Sequence, residues 1–228
     1  MQPYYADSCC TIYLGDCLSV LENISNAYAV ITDPPWGIKY KSNHNSAQYK
    51  KDGIREYHKE CNFKQINGDD KPFNPTIFFR FPVQAYFGAN FFCNKLPPSK
   101  CWIVWDKRRD TTPDLQSDCE LIWTNVSKPS RIFRHLWRGI IREGEENVSK
   151  SIKYHPHQKP VALMKFLVEY VADFFPVLDP YCGSGSTLVA CKRLNRPSIG
   201  IEIDERYAEI AAKRVSTENN KILTHLSN

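Results

Sequence analysis

Apolar residues along this chain gather in short contiguous runs bounded by turn formers, with two stretches at helical spacing. Thr11-Ile12-Tyr13-Leu14 reads as a short strand running through Gly15 to an acid, Asp16, and Cys17 to Ile24 as a short helix with Leu18 and Leu21 on one face. Ala29-Val30-Ile31-Thr32 is a buried strand. Val83 to Gly88, Cys101 to Trp105 and Glu120 to Thr124 are three more, β-branched or aromatic and bounded by Pro, Asp and Asn. Met164, Leu167, Val168 and Val171 recur at helical spacing, which predicts a helix over 161–174. Phe175-Pro176-Val177-Leu178 is a strand, a helix follows from Ser186 to Leu194, and Ser198 to Ile203 is the next strand. Asp204 is placed to N-cap a last helix with Lys213 and Arg214 in its final turns. Two stretches lack apolar rhythm, Trp36 to about Pro75 and Ser127 to Tyr154, and read as irregular. Strands alternating with helices predict an α/β fold, a mainly parallel sheet covered on both faces.

Composition changes this picture little. A length of 228 residues, 42% of them hydrophobic, fits one domain over 1–228 with a sizeable core and excludes a disordered chain. No apolar run approaches the ~20 residues of a membrane span, and Met1-Gln2-Pro3-Tyr4-Tyr5-Ala6-Asp7 lacks a secretory layout, so the expected location is cytoplasmic. Nine cysteines, an odd number without a CxxC pair, read as reduced thiols, and no metal site is expected. Charge is more telling in its distribution. The net is +5, but Gly37 to Pro75 holds eight Lys/Arg against five Asp/Glu, and Lys128 to Lys153 seven against three. Both excesses fall in the irregular segments, which suits either a solvated surface or contact with a polyanion.

Three motifs carry chemistry. Asp33-Pro34-Pro35-Trp36 closes the Ala29 strand, and strand ends are where open α/β sheets bind ligands. A carboxylate, a carbonyl stiffened by neighbouring prolines and a flat aromatic suit a planar group with an exocyclic amine, as in a nucleobase. The second motif is Asp179-Pro180-Tyr181-Cys182-Gly183-Ser184-Gly185-Ser186-Thr187, between a strand and a helix N-terminus. Its glycines let backbone approach a ligand, and the helix end supplies free N–H groups. Glu202 ends the following strand 17 residues after Gly185, a spacing that suits an acid on the ribose of a nucleoside cofactor. A phosphate P-loop is excluded, since no Gly-Lys-Ser/Thr follows. The third motif, His155-Pro156-His157-Gln158-Lys159-Pro160, is a rigid turn that would place Lys159 beside the cofactor.

These three motifs, followed by Gly200-Ile201-Glu202-Ile203-Asp204, resemble the amino-group DNA methyltransferases that use S-adenosylmethionine. The tetrapeptide precedes the glycine loop, as in their circularly permuted β-class. Tyr86 to Asn90, Trp102 to Arg108 and Glu120 to Thr124 resemble small solitary phage and prophage enzymes. The resemblance covers about residues 10–215. It implies a Rossmann-like methyltransferase fold with a mostly parallel seven-stranded sheet. It implies Asp33, Pro34, Pro35 and Trp36 as the catalytic group, with Asp33 and the Pro34 carbonyl accepting from the target amine and Trp36 stacking on the base. Asp179 through Thr187 would hold the methionine end of S-adenosylmethionine, Glu202 and Ile203 its nucleoside, Asp16 its adenine edge, and Lys159 would sit near its carboxylate.

The implied substrate is double-stranded DNA, methylated at N6 of a flipped-out adenine. The irregular segments 37–75 and 127–154 would touch it, with Lys39, Lys41, Arg131, Arg134, Arg138 and Arg142 as the contacting cations. Cytosine N4, an RNA adenine and a silent nucleic-acid-binding module are the rival readings; Asp rather than Ser at position 33 speaks against cytosine. Glu146-Asn147-Val148 matches a cytosine-C5 motif, but no Pro-Cys nucleophile accompanies it, so it reads as chance. The aromatics around Phe78 to Phe81 and Phe91-Phe92 read as core. A homodimer and a cognate restriction endonuclease stay open, as do the recognition sequence and the source organism.

Overall fold

The computed structural model describes residues 2–39, 67–108, 117–138, 141–144, 154 and 157–226. Lys41, His155 and Pro156 lie outside the described residues, as do most of 37–75 and part of 127–154.

The strands are β1 (Tyr5–Ala6), β2 (Cys10–Leu14), β3 (Ala29–Thr32), β4 (Val83–Phe87), β5 (Cys101–Asp106), β6 (Cys119–Thr124), β7 (Arg131–Arg134), β8 (Trp137–Arg138), β9 (Ile141–Arg142), β10 (Val177–Asp179) and β11 (Ser198–Glu202). The helices are α1 (Cys17–Leu21), α2 (Val161–Leu167), α3 (Ser186–Arg193) and α4 (Glu205–Leu226). Among the described residues, nine strands form one sheet in the order β1-β2-β11-β10-β3-β4-β6-β5-β7, and β8 pairs separately with β9. The run from β2 to β4 is parallel throughout. The chain therefore leaves β2, β11, β10 and β3 at the same sheet edge, and four loops meet there.

Sequence explains which strands are central. All four residues of β3 and all five of β4 are buried, the mark of strands covered on both faces. Successive residues of β3 divide between two cores. Ile31 packs with Ala85, Phe87 and Ile103 against Leu163, Met164 and Leu167 of α2. Val30 packs with Tyr86, Trp123 and Leu178 against Leu21 of α1 and the rings of Phe78, Phe81 and Phe92. A third cluster joins Ile12 and Leu188 to Ala208, Ala211 and Val215 of α4. Each fully buried Leu or Ile among these contributes about 1.5–3 kcal/mol over an exposed one.

The expected fold class holds, with corrections at its margins. The sheet has nine strands rather than seven, because the two-residue β1 and the mostly exposed β7 extend its edges. The 127–154 segment contains β7, β8 and β9. These strands are too short and too polar to show alternation. The helix expected over 161–174 is α-helical to Leu167, then widens into a π turn through Ala172 that keeps Val168, Val171 and Ala172 all buried. Asp204 does cap α4, accepting from the Arg206 amide at 3.0 Å. That helix continues to Leu226, so Lys213 and Arg214 fall at its middle. Among the described residues, no helix is long and apolar enough to cross a membrane.

Candidate active site

At the shared sheet edge the four loops enclose a cavity of about 590 Å³. Its wall brings together Asp16, Asp33 to Trp36, Lys159, Asp179 to Ser184, Ser186, Thr187, Glu202 and Ile203, residues spread over nearly the whole chain. Asp16 caps α1, accepting from the amides of Leu18 (2.9 Å) and Ser19 (3.4 Å).

The loop after β10 is fixed by its own first residue. Asp179 is 3% exposed, and its Oδ1 accepts from the Thr32 hydroxyl (2.7 Å) and the Tyr181 amide (3.2 Å). Its Oδ2 accepts from the Thr187 hydroxyl at 2.5 Å. Burial still pushes this carboxyl up to about 6 against those three donors. Gly185 ends the loop at φ +78°, a conformation that favours glycine, and a Cβ there would lie 2.8 Å from Cβ of Ala211 in α4. Arg214 reaches back from the same helix to the Ser184 carbonyl at 2.5 Å. Glu202 closes the cradle. One carboxylate oxygen accepts from the Gly183 amide and the other from the Asp204 amide, both at 2.9 Å, while burial raises its pKa. Leu18 and Ile203, each 52% exposed, add apolar surface on this side of the cavity.

The loop after β3 is built differently. Asp33 Oδ2 meets the Lys159 ammonium at 2.5 Å. Its Oδ1 is buried and has no hydrogen-bond partner among the described residues. Burial lifts the carboxyl to about 6, with Lys159 pulling it down and Glu120 pushing it up. Trp36 lies over Gly88, where a Cβ would come within 2.2 Å of the indole, so only glycine fits beneath the ring. Phe91 stacks on Trp36 with centroids 5.0 Å apart and planes 18° from parallel, and His157 meets it edge-on at 6.0 Å. Behind the tetrapeptide, Asp69 Oδ1 accepts from the amides of Gly37 (2.8 Å) and Ile38 (3.3 Å).

Sequence reasoning missed three of these residues. Glu120 of β6 lies 3.3 Å from the Lys159 ammonium and accepts from Lys107 at 3.2 Å. Phe91, expected in the core, is 49% exposed beside Trp36. Asp69, in a segment read as irregular, is 2% exposed. A charge at the second position of an otherwise apolar strand, as Glu120 is in β6, is the one local sign that could have pointed to it.

The expected cations divide. Arg131 and Arg134 are exposed on β7, where Arg134 lies 3.7 Å from Asp106, and Lys39 is exposed at φ 53°. Arg142 is 7% exposed with its guanidinium 4.9 Å over the Trp137 ring, so it is packed in where Arg131 and Arg134 are exposed. The Arg138 side chain is outside the described set. Among the described residues no group of three or more His, Cys, Asp or Glu is placed to hold a metal.

The fold recurs in known proteins. A DNA methylase family model matches residues 97–213, just over half of the chain. The Type II methyltransferase M2.DpnII of Streptococcus pneumoniae is 30% identical over 131 residues, 57% of this chain and 47% of that protein. The chain spans about half or less of the length of the curated relatives it matches. Among solved structures, the M1.HpyAVI-SAM complex overlays with a TM-score of 0.53 at 22% identity, covering 90% of this chain and 98% of that one. The PvuII DNA methyltransferase (cytosine-N4-specific) overlays at 0.60 with 16% identity, covering 98% and 95%. The structures establish the fold, and the family match over most of the β5-to-α4 half, glycine loop and Glu202 included, establishes descent: the chain belongs to the DNA methylase family.

Proposed function

We propose that this chain transfers a methyl group from S-adenosylmethionine to the N6 amine of an adenine flipped out of double-stranded DNA. One observation carries the reading. Asp33, whose buried Oδ1 has no hydrogen-bond partner among the described residues, lines the same cavity as Gly183, Ser184 and Glu202.

The residues present suit the cofactor. The glycine loop opens onto the N-terminus of α3, Glu202 offers carboxylate oxygens that retain acceptor capacity for ribose hydroxyls, and Leu18 and Ile203 offer apolar walls for a base. When bound, S-adenosylmethionine would supply a methyl group already activated by its sulfonium. The protein's task is then positioning. An exocyclic amine on adenine is a weak nucleophile because its lone pair is delocalised into the ring. Asp33 Oδ1 and the Pro34 carbonyl accept its two hydrogens and favour a pyramidal nitrogen whose lone pair is free to react. Trp36 stacks on the extruded base, worth roughly 1–3 kcal/mol by analogy with single-strand binders, which offsets much of the few kcal/mol that flipping costs. Of the expected cations, Arg131, Arg134 and Lys39 are exposed and suited to phosphate, and the segments 37–75 and 127–154 are the proposed contact regions.

The test is transfer of labelled methyl from S-adenosylmethionine to DNA from a methylation-deficient bacterium, followed by digestion to nucleosides. N6-methyladenine is expected. Label in N4-methylcytosine, label in RNA but not DNA, or no transfer would each overturn the assignment.

A further inference from the structure

The Asp33 carboxylate is one end of a buried line of alternating charge. Its Oδ2 lies 2.5 Å from the Lys159 ammonium, which lies 3.3 Å from Glu120 Oε2, while Glu120 Oε1 lies 3.2 Å from the Lys107 ammonium. The four groups come from the end of β3, the turn before α2, β6 and the residue after β5. The Lys159 side chain is 7% exposed, and those of Asp33 and Glu120 are 17% exposed. The Lys159 ammonium also sits 5.1 Å from the Phe87 ring and 5.7 Å from the Trp36 ring. It is thus held on two sides by carboxylates and enclosed by aromatic faces.

Such a lysine is poorly suited to bind a cofactor carboxylate, the role its motif implies, because its charge is already met by two others. It is well suited to grip one oxygen of Asp33. We infer that Lys159 and Glu120 are positioning residues, Lys159 fixing Oδ2 of Asp33 so that Oδ1 faces the target amine and Glu120 holding Lys159 in place. This rests on the reading of Asp33 as the amine acceptor.

The pair has a signature that inert packing lacks. Among the described residues, the charged groups that act on Asp33 are Lys159 from the turn before α2, Glu120 from β6 and Asp179 from β10. Asp33 accepts an N–H far more strongly when ionised, and its protonated form can turn an O–H donor toward the amine, so activity falls as pH drops through its pKa. Lys159 favours the ionised form and Glu120 opposes it. Removing one or the other charge must therefore move the acid limb of the rate in opposite directions.

The experiment measures single-turnover methylation of DNA from a methylation-deficient bacterium against pH, with S-adenosylmethionine dissociation constants measured in parallel. Lys159→Met should shift the acid limb to higher pH by about 1 unit or more, and Glu120→Gln to lower pH by a smaller amount. Cofactor affinity should stay unchanged in both. Acid limbs that do not move, or that move together, overturn the inference, as does a Lys159→Met variant whose main defect is weaker cofactor binding. Should Lys159→Met not fold, the direction of the Glu120→Gln shift decides alone. An Asp33→Ala variant with near-normal turnover would sink both this inference and the acceptor role. A wild-type enzyme that depends on Asp33, with unmoved limbs in the two variants, sinks only the positioning pair.

Discussion

Two neighbouring parallel strands, β3 and β10, both run into Asp-Pro, yet the two carboxylates are held in opposite ways. Asp179 has both oxygens engaged by the protein, since Thr32, Tyr181 and Thr187 all donate to it. Asp33 is gripped by an ammonium at one oxygen, and its other oxygen has no hydrogen-bond partner among the described residues. Burial raises both to about 6, so burial does not separate them. The donors do. A buried carboxylate with both oxygens engaged by its own loop and the neighbouring strand is an architectural brace, whereas Asp33, under the function proposed above, is an instrument for something that enters.

Breaking the contrast should give effects of graded size. Asp33→Ala removes the open acceptor and should lower the rate of methyl transfer roughly 10²–10³-fold while leaving cofactor affinity close to wild type. A variant with ordinary turnover would dissolve the distinction. Asp179→Ala should do the reverse. It strands the Thr32 and Thr187 hydroxyls in a buried site and should cost about 3 kcal/mol in denaturant unfolding, with cofactor binding weakened as the loop loosens. Glu202→Ala removes an acceptor that also ties down the Gly183 and Asp204 amides. Cofactor affinity should fall about tenfold by calorimetry, in keeping with about 1.4 kcal/mol for a charge-assisted hydrogen bond. The smallest change is Gly185→Ala. At φ +78° and with Ala211 in the way, it should lower stability by about 1–2 kcal/mol without altering the pH dependence of transfer.

Much of the brace was legible in the sequence and little of the instrument's setting was. β3, β10 and β11 are contiguous apolar runs closed by Pro, Gly or an acid, so the strand ends, the glycine loop and Glu202 could be placed from local pattern alone. Lys159 was recognised by its motif, but its contact with Asp33 spans 126 positions, and no local periodicity encodes where a buried ammonium points. Glu120 hid inside a strand that reads as apolar. Phe91 and Phe92 look alike in sequence, yet one is 49% exposed over Trp36 and the other 1% exposed in the core. The short turn that carries them decides which ring turns inward. Arg142 looked like its neighbours Arg131 and Arg134 until cross-strand packing against Trp137 set it apart.

Asp69 has a consequence of another kind. Its carboxylate ties the amides of Gly37 and Ile38, and its carbonyl accepts from the Lys39 amide at 3.0 Å, so the chain leaving the tetrapeptide and the chain returning to it are stitched together at one point. The seat of Trp36 is thus fixed twice, by the close approach of its ring to Gly88 and by the three amides held at Asp69 immediately after it, so a substitution at Asp69 would be felt at the indole.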